Sequence, residues 1–422
     1  MIYVRAWGKD IGQLINHKGI IKFKYDEANR LNFSPIKMPL NSETIYEFSH
    51  LKYQYGLPGL ISDHLPGSYG MNYMDKFMYR HLKRNPTIME KLQFLGSHAL
   101  GTLEFFPIIE DNSQNEILSI TELYNESKKL LVNYHEENTW PALETLLAVS
   151  NSAGGGARAK ALIGYNNKNK SISLTRKQGD FPEGYLPAII KYDDSDISMY
   201  PMLEDKYKNA SIPTKIEYVY YLMAKEIGIT MSPCELVEHE GRSHFLTYRF
   251  DRRENTRFHM HSFSGLMHLN PEETEHSYTD LLRVAQKLNL SQGNKEEIVK
   301  VILFNAIFAN RDDHTRNFSF LMNESGQWAF APAYDLTYTS NGYHQMLLNV
   351  TSLNRATFSK LRESFAPYGI EEEFLKQNIE KIIDVKHKYL MSECLNYGIP
   401  ENFTSQILKD TKIVDELFTK GE

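Results

Sequence analysis

Three oxygen-bearing residues in one short stretch define the chemistry this chain could do. The run Asn310-Arg311-Asp312-Asp313-His314-Thr315-Arg316-Asn317-Phe318-Ser319-Phe320 puts a carboxylate at Asp312 and an amide five positions later at Asn317. Eighteen residues after Asn317 comes Asp335, inside Ala331-Pro332-Ala333-Tyr334-Asp335-Leu336. The segment between reads as a hairpin, with Phe318 to Met322 running out, Asn323-Glu324-Ser325-Gly326 turning, and Gln327 to Phe330 running back. A hairpin begins and ends at one place, so Asp312, Asn317 and Asp335 are expected to converge. Such a trio suits phosphoryl transfer. Asp312 would accept the proton of an attacking hydroxyl, while the Asn317 amide oxygen and the Asp335 carboxylate are hard ligands of the kind Mg2+ prefers. The same residues could instead be a polar loop that caps a helix, or a carboxylate site for another metal. Asp313 and His314 stand between metal ligation and structural hydrogen bonding. No second His or Cys lies at ligand spacing, which favours the structural role.

Further upstream, Ser150-Asn151-Ser152-Ala153-Gly154-Gly155-Gly156-Ala157-Arg158-Ala159-Lys160 is a glycine-rich stretch. Glycines let backbone N–H groups come close to phosphates, though a surface turn would use them too. There is neither a G-x-x-x-x-G-K-[ST] nor a clean G-x-G-x-x-G. Position carries the argument. A strand (Ala161–Tyr165), a turn (Asn166–Asn169) and a partner strand (Ser171–Leu174) follow, and then a strand, Leu186–Lys191, that ends in a lysine. In kinases a glycine loop covers the phosphates and a nearby strand lysine grips them. The nucleotide-binding candidates are therefore Ser152, Ala153, Gly154, Gly155, Gly156, Ala157, Arg158, Lys160 and Lys191. Thr247, Tyr248, Arg249 and Phe250 form the hinge that would offer backbone groups to an adenine ring. Glu217 sits in the first turn of a helix opened by Pro213-Thr214, either as a carboxylate that the macrodipole favours or as the ion-pair partner that orients Lys191.

The elements that must hold these residues follow from periodicity. Ile216, Val219, Tyr220, Met223, Ala224 and Ile227 mark an amphipathic helix that Gly228 ends. Ile2–Trp7 and a hairpin (Gly12–Leu14 with Gly19–Phe23) open the chain, and Asp63–Gly70 reads as turn chemistry. Beyond Asp251 the pattern is mostly helical, with an apolar helix from Ile298 to Ala309 and a helical region from Ala356 to Lys420. The expected organisation is an N-terminal accessory unit (1–108), a polar connector (109–137), a strand-rich lobe with the glycine loop (138–252) and a helical lobe with the catalytic loop (253–422). The 422 residues allow two or three domains. A net charge of −6 argues against phosphate-backbone binding as the main activity. Two distant cysteines, no apolar leader and no long apolar run point to a reducing cytosol.

At these residues the sequence resembles the HipA family of serine/threonine kinases. Ser152 to Lys160 resembles the family's S-x-G-G-A-R-P-K loop, with one extra glycine and Ala159 in place of proline. Ile190-Lys191 is similar to its I-K, and Glu217-Tyr218 to its N-E-Y helix start, with Ile216 where a polar residue is common. Tyr248-Arg249-Phe250-Asp251-Arg252 resembles E-R-F-D-R, with Tyr248 for Glu. The most specific matches are Asn310 to Phe320 with N-x-D-D-H-x-x-N-F-S and Pro332 to Leu336 with A-P-x-Y-D. Leu65-Pro66-Gly67 is similar to L-L-P-x-G. The resemblance implies an α+β, bilobal protein-kinase-like fold with an N-terminal accessory subdomain. It also implies ATP and Mg2+, a cytosolic protein target such as an aminoacyl-tRNA synthetase, and a small DNA-binding antitoxin of HipB type. It further implies that the kinase phosphorylates one of its own loop serines, Ser152 ahead of Ser150. Two other readings remain at this stage: a catalytically idle binding or repressor subunit of the same fold, and a small-molecule phosphotransferase.

Overall fold

The computed structural model describes residues 1–109, 117–118, 160–174, 181–193, 210–253, 256–340 and 342–420. The first unit is a five-stranded antiparallel sheet. Its strands are β1 (Ile2–Ala6), β2 (Lys9–His17), β3 (Ile20–Tyr25), β4 (Ile45–Glu47) and β5 (Leu103–Phe106), in the order β4-β3-β2-β1-β5. Alternation in β1 buries Ile2, Val4 and Ala6 on one face. Three helices, α1 (Gly59–Ser62), α2 (Ser68–Leu82) and α3 (Ile88–Leu95), cover the sheet's path back to β5. The expected turn over Asp63–Gly70 is shorter than that, because Gly67 serves as the N-cap of α2 and Ser68 already belongs to the helix. Thr87 and Glu90 close a reciprocal capping box on α3.

A six-stranded sheet follows, built from β6 (Ile117–Leu118), β7 (Lys160–Asn166), β8 (Ser171–Ser173), β9 (Leu186–Lys191), β10 (Cys234–His239) and β11 (Arg242–Tyr248), in the order β10-β11-β9-β7-β8-β6. The strand expected at Leu186–Lys191 has those bounds. The long helix α4 (Ile212–Ile227) packs on this sheet; Pro213 lies in its first turn and Gly228 ends it at φ +88°. Its start is bolted to β11, since Ser211 Oγ accepts from Ser243 N–H and Thr214 Oγ1 donates to Ser243 O, at 3.1 and 2.6 Å.

Beyond Asp251 the chain is less purely helical than its pattern suggests. A small ribbon, β12 (Arg252–Arg253) with β13 (Thr256–Arg257), precedes β14 (His259–Ser262), which pairs with the expected hairpin β15 (Ser319–Met322) and β16 (Trp328–Phe330). The helices are α5 (Phe263–Met267), α6 (Tyr278–Lys287), α7 (Gln292–Ile307), α8 (Phe358–Phe365), α9 (Glu372–Asn396) and α10 (Glu401–Lys420). Most of the helical side's apolar residues form one core around α4, α6, α7, α9 and α10. A second core is shared between the first unit and the six-stranded sheet, joining Val4, Leu14 and Phe105 to Ala161, Ile190 and Leu246. No helix among the described residues is long and apolar enough to cross a membrane.

The first unit also grips β14. The Asp63 carboxylate accepts from His261 Nδ1 at 2.6 Å and from the Ser262 N–H and hydroxyl, both at 2.7 Å. His259 Nε2 meets Phe33 O at 3.0 Å. Helix α1 approaches α5 so closely that a Cβ on Gly59 would lie 1.9 Å from the Gly265 carbonyl, leaving no room for any side chain there.

Candidate active site

Antiparallel register places the cations. Lys160 on β7 lies opposite Lys191 on β9, and Lys191 lies opposite Phe245 on β11. Residues directly opposite across antiparallel strands share a face, so both lysines project from the same side of the sheet. Lys191 is almost buried and forms ion pairs with two carboxylates, Glu217 of α4 and Asp335. Glu217 is the sixth residue of α4, past the first turn where the macrodipole acts, which leaves the ion pair as its evident role. Burial alone would lower the Lys191 pKa, but Asp335 and Glu217 outweigh it and hold the ammonium charged. Burial likewise would raise Asp335; Lys191, with Lys160, instead holds it at about 2.

The end of α7 delivers the second half of the site. The helix unwinds through Ala309, whose φ of +52° is rare for a residue with a Cβ, and Asn310 N–H then donates back to Asn305 O at 2.9 Å. The Asn310 side chain donates to Asn305 Oδ1 at 2.9 Å and reaches the Asp335 carbonyl at 3.5 Å. Asp335 itself has φ +54°. Its approach is fixed by Ala333 N–H on Thr230 O (2.8 Å) and by Tyr334, whose hydroxyl donates to Arg316 O at 2.6 Å. The chain thus returns from β16 to the Asn310–Asn317 segment, where the hairpin brings Tyr334 and Asp335 beside Arg316 and Asn310.

Within that segment Asn317 Nδ2 donates to the Asp312 carbonyl at 2.6 Å. This fixes the amide and leaves Asn317 Oδ1 buried with no hydrogen-bond partner. An orphaned buried amide oxygen calls for a missing partner. An amide oxygen and a carboxylate are donors of the hard kind that Mg2+ prefers, so Asn317 Oδ1 and the Asp335 carboxylate fit that ion in chemistry. Asp313 is wholly buried and accepts from the Tyr278 hydroxyl, from His344 Nδ1 at 2.7 Å and from Gln345 N–H at 2.7 Å. His314 accepts from Arg316 N–H at 3.2 Å and caps the short turn Thr315–Asn317. Burial outweighs Asp312, Asp335 and Asp313 nearby and lowers the His314 pKa, so the ring is a neutral structural group at pH 7. Gln345 also donates through Nε2 to Asp312 Oδ1 at 2.9 Å, a contact that no motif announced.

Between the two halves lies a cleft lined by residues of both. Lys160, Lys191, Glu217 and Asp335 stand at its polar end, and the hinge residues Thr247, Tyr248, Arg249 and Phe250 line its other wall with apolar Leu100, Met231 and Met260. Burial pushes the Cys234 thiol in this wall up to about 12, so it is no nucleophile at neutral pH. The hinge is tied to the first unit. Asp251 receives Arg249 Nε (2.9 Å) and the Gly101 N–H (2.6 Å), while Arg249 and Arg252 reach the Ala99 carbonyl at 3.5 and 3.4 Å. Ser150, Ser152, Ala153, Gly154, Gly155, Gly156, Ala157 and Arg158 lie outside the described residues.

Comparison with known proteins places this geometry. The model of the HipA-like C-terminal domain matches residues 152–389, more than half of the chain. The "Putative kinase Y4mE" of Sinorhizobium fredii is 26% identical over 139 residues, which are 30% of this chain and 32% of that protein, so the match spans about a third of the relative's length. Among solved structures, HipA from the Shewanella oneidensis toxin–antitoxin complex with HipB and operator DNA aligns with a TM-score of 0.69 at 16% identity, over 99% of this chain and 97% of that one. The whole chain therefore has the kinase-like fold of that HipA. The Helicobacter pylori proinflammatory kinase CtkA aligns at a TM-score of only 0.36 and 14% identity, over 60% of this chain and 94% of its own, and carries no argument.

Proposed function

We propose that this chain, which belongs to the HipA-like C-terminal domain family, is an ATP- and Mg2+-dependent serine/threonine-protein kinase that acts on a cytosolic protein. The observation that carries the reading is the meeting of Lys191, Glu217 and Asp335 at the polar end of a hinge-bordered cleft. In this reading the hinge strand holds the adenine, and Lys191, oriented by Glu217, contacts the phosphates with Lys160 beside it. Asn317 and Asp335 hold the metal, which when bound supplies charge neutralisation for the β- and γ-phosphates. Asp312 takes the proton from the acceptor hydroxyl as its oxygen bonds to the γ-phosphorus and the bond to ADP breaks. Residues 1–108 are the accessory subdomain, 109–137 the connector, 138–252 the strand-rich lobe and 253–422 the helical lobe.

The family adds the biological frame of the proposal: a toxin held by a small DNA-binding antitoxin of HipB type, an aminoacyl-tRNA synthetase as the kind of target, and autophosphorylation of the glycine-rich loop at Ser152 or Ser150. The test is incorporation of label from [γ-32P]ATP with Mg2+ into a cell extract, by wild type and by Asp312→Asn. The substitution is nearly isosteric but cannot accept the proton, so incorporation should vanish while Mg-ATP binding and folding persist. The same substitution should relieve any growth arrest caused by expressing the chain alone. Near-wild-type labelling by Asp312→Asn would overturn the assignment of the base.

A further inference from the structure

We infer that Gln345 is a positioning residue for phosphoryl transfer, its side-chain amide orienting the Asp312 carboxylate while its main-chain N–H ties the surrounding loop to Asp313. The inference rests on the reading of Asp312 as the proton acceptor.

One residue addresses both members of the Asp312-Asp313 pair, through two different groups. Nε2 donates to Asp312 Oδ1 at 2.9 Å, and the backbone N–H donates to Asp313 Oδ1 at 2.7 Å. The loop around Gln345 is held without help from its side chain. His344 Nδ1 bonds Asp313 Oδ2, Tyr278 N–H donates to Leu347 O at 2.9 Å, and Leu347 N–H donates to His276 O at 2.8 Å. Met346 and Leu348 are buried on either side. The backbone is thus a fixed platform from which the amide reaches out, and the amide can be removed without loosening the platform.

The chemistry explains why a base would need such a partner. The terminal torsion of an Asp side chain is broad and roughly two-fold, so an unrestrained carboxylate swings through many planes. Among the described residues, Gln345 makes the one hydrogen bond to the Asp312 carboxylate, and it engages Oδ1. Oδ2 is left to receive a proton. A neutral amide suits the task because it can donate to a carboxylate yet has no appreciable basicity with which to compete for the substrate proton. Glu or Asp in its place would repel Asp312, and Lys would bind it as a salt bridge and weaken it as a base. Correct placement of a reacting group is a large share of catalysis, and an error of about 1 Å can cost about 10²-fold.

The experiment uses the full chain, with [γ-32P]ATP, Mg2+ and a heat-treated cell extract as mixed acceptor, reading kcat, KM for ATP and the melting temperature separately. Gln345→Met keeps the length and removes the donors, and Gln345→Ala removes the reach. Both should lower kcat by about 10- to 100-fold, part of the roughly 10²–10⁴ that a general base supplies. KM for ATP should stay within about twofold, since Lys191, Glu217, Asn317 and Asp335 are untouched. Gln345→Glu should lose at least as much as Gln345→Met. Either neutral variant, folded and with kcat within about twofold of wild type, overturns the inference. A loss that appears as a raised KM with kcat preserved overturns it too, because that pattern marks a disturbed cleft rather than a misaimed base. No labelling by the wild type overturns the kinase reading, and this inference falls with it. Labelling by the wild type that continues in Gln345→Met at a rate within about twofold overturns the inference alone.

Discussion

Lys191→Met and Glu217→Gln both break the same ion pair, yet their costs to stability should differ several-fold. Two carboxylates share the Lys191 ammonium in this buried cluster, with the Lys160 ammonium acting on Asp335 from farther off. Removing the Glu217 charge leaves Lys191 and Asp335 paired one to one, and the new amide oxygen still accepts a hydrogen bond, so the loss should be about 1 kcal/mol. Removing the ammonium takes from Glu217 and Asp335 the one cation both of them pair with, and breaking a buried pair in this way costs about 3–5 kcal/mol. Thermal denaturation without nucleotide reads the difference, about 3–6 °C for Lys191→Met against about 1 °C for Glu217→Gln in a chain of this length. Acid adds a second check. In the wild type Asp335 sits at about 2, below its ordinary 3.8, so its contribution is present above pH 4 and fades as the pH falls toward 2. Equal destabilisation by both substitutions, or a larger effect from Glu217→Gln, would refute the shared-cation account.

The remaining expectations are simpler. Asp63→Asn should cost about 2–3 kcal/mol at pH 7, because a charge with three hydrogen bonds from β14 becomes a neutral amide. Burial alone would raise the Asp63 pKa, but His261, Arg316 and Ser262 outweigh it and lower it. Its stabilisation is therefore present above the ordinary carboxylate range and fades in acid, so the wild-type and Asp63→Asn melting curves should begin to draw together as the pH falls past 3.8 and meet only well below it. Mass spectrometry of protein incubated with ATP should find phosphate on Ser152 or Ser150, absent from Asp312→Asn; phosphate on neither serine, yet elsewhere in the active protein, would remove the loop proposal.

What could be read from the sequence was what lies close along the chain. The strand ending at Lys191, the helix closed by Gly228, the apolar helix before Asn310 and the hairpin that returns Asp335 all depend on local period and turn chemistry and are present, though the apolar helix runs Gln292–Ile307 rather than Ile298–Ala309. The third strand of that hairpin's sheet, β14, was not legible, since His259–Ser262 carries histidines and a serine where an apolar run would mark a strand. Those histidines serve contacts made some 200 positions away, at Phe33, Ser34 and Asp63. Asp313 was ambiguous because its partners, Tyr278, His344 and Gln345, lie in separate segments. Gln345 itself gave no signal, since a glutamine in a polar loop has nothing in its neighbours' spacing to single it out. Glu217 was placed one turn too early, a boundary error that hid the weakness of the macrodipole explanation.

The Ala99–Gly101 seam means that the cleft is not the private property of the region the family model spans. Leu100 forms part of its wall, and Gly101 holds the aspartate that locks the hinge, although both precede residue 152 by some fifty positions. Excising residues 152–389 would leave Asp251 without the Gly101 N–H and would open the cleft on the Leu100 side. Occupancy and docking are also thermodynamically linked. Any ligand that rests against Leu100 favours the closed seam, and anything that pries the first unit from the hinge must weaken that ligand by the same factor. A protein that takes hold of the N-terminal unit therefore has a mechanical handle on the cleft without ever entering it.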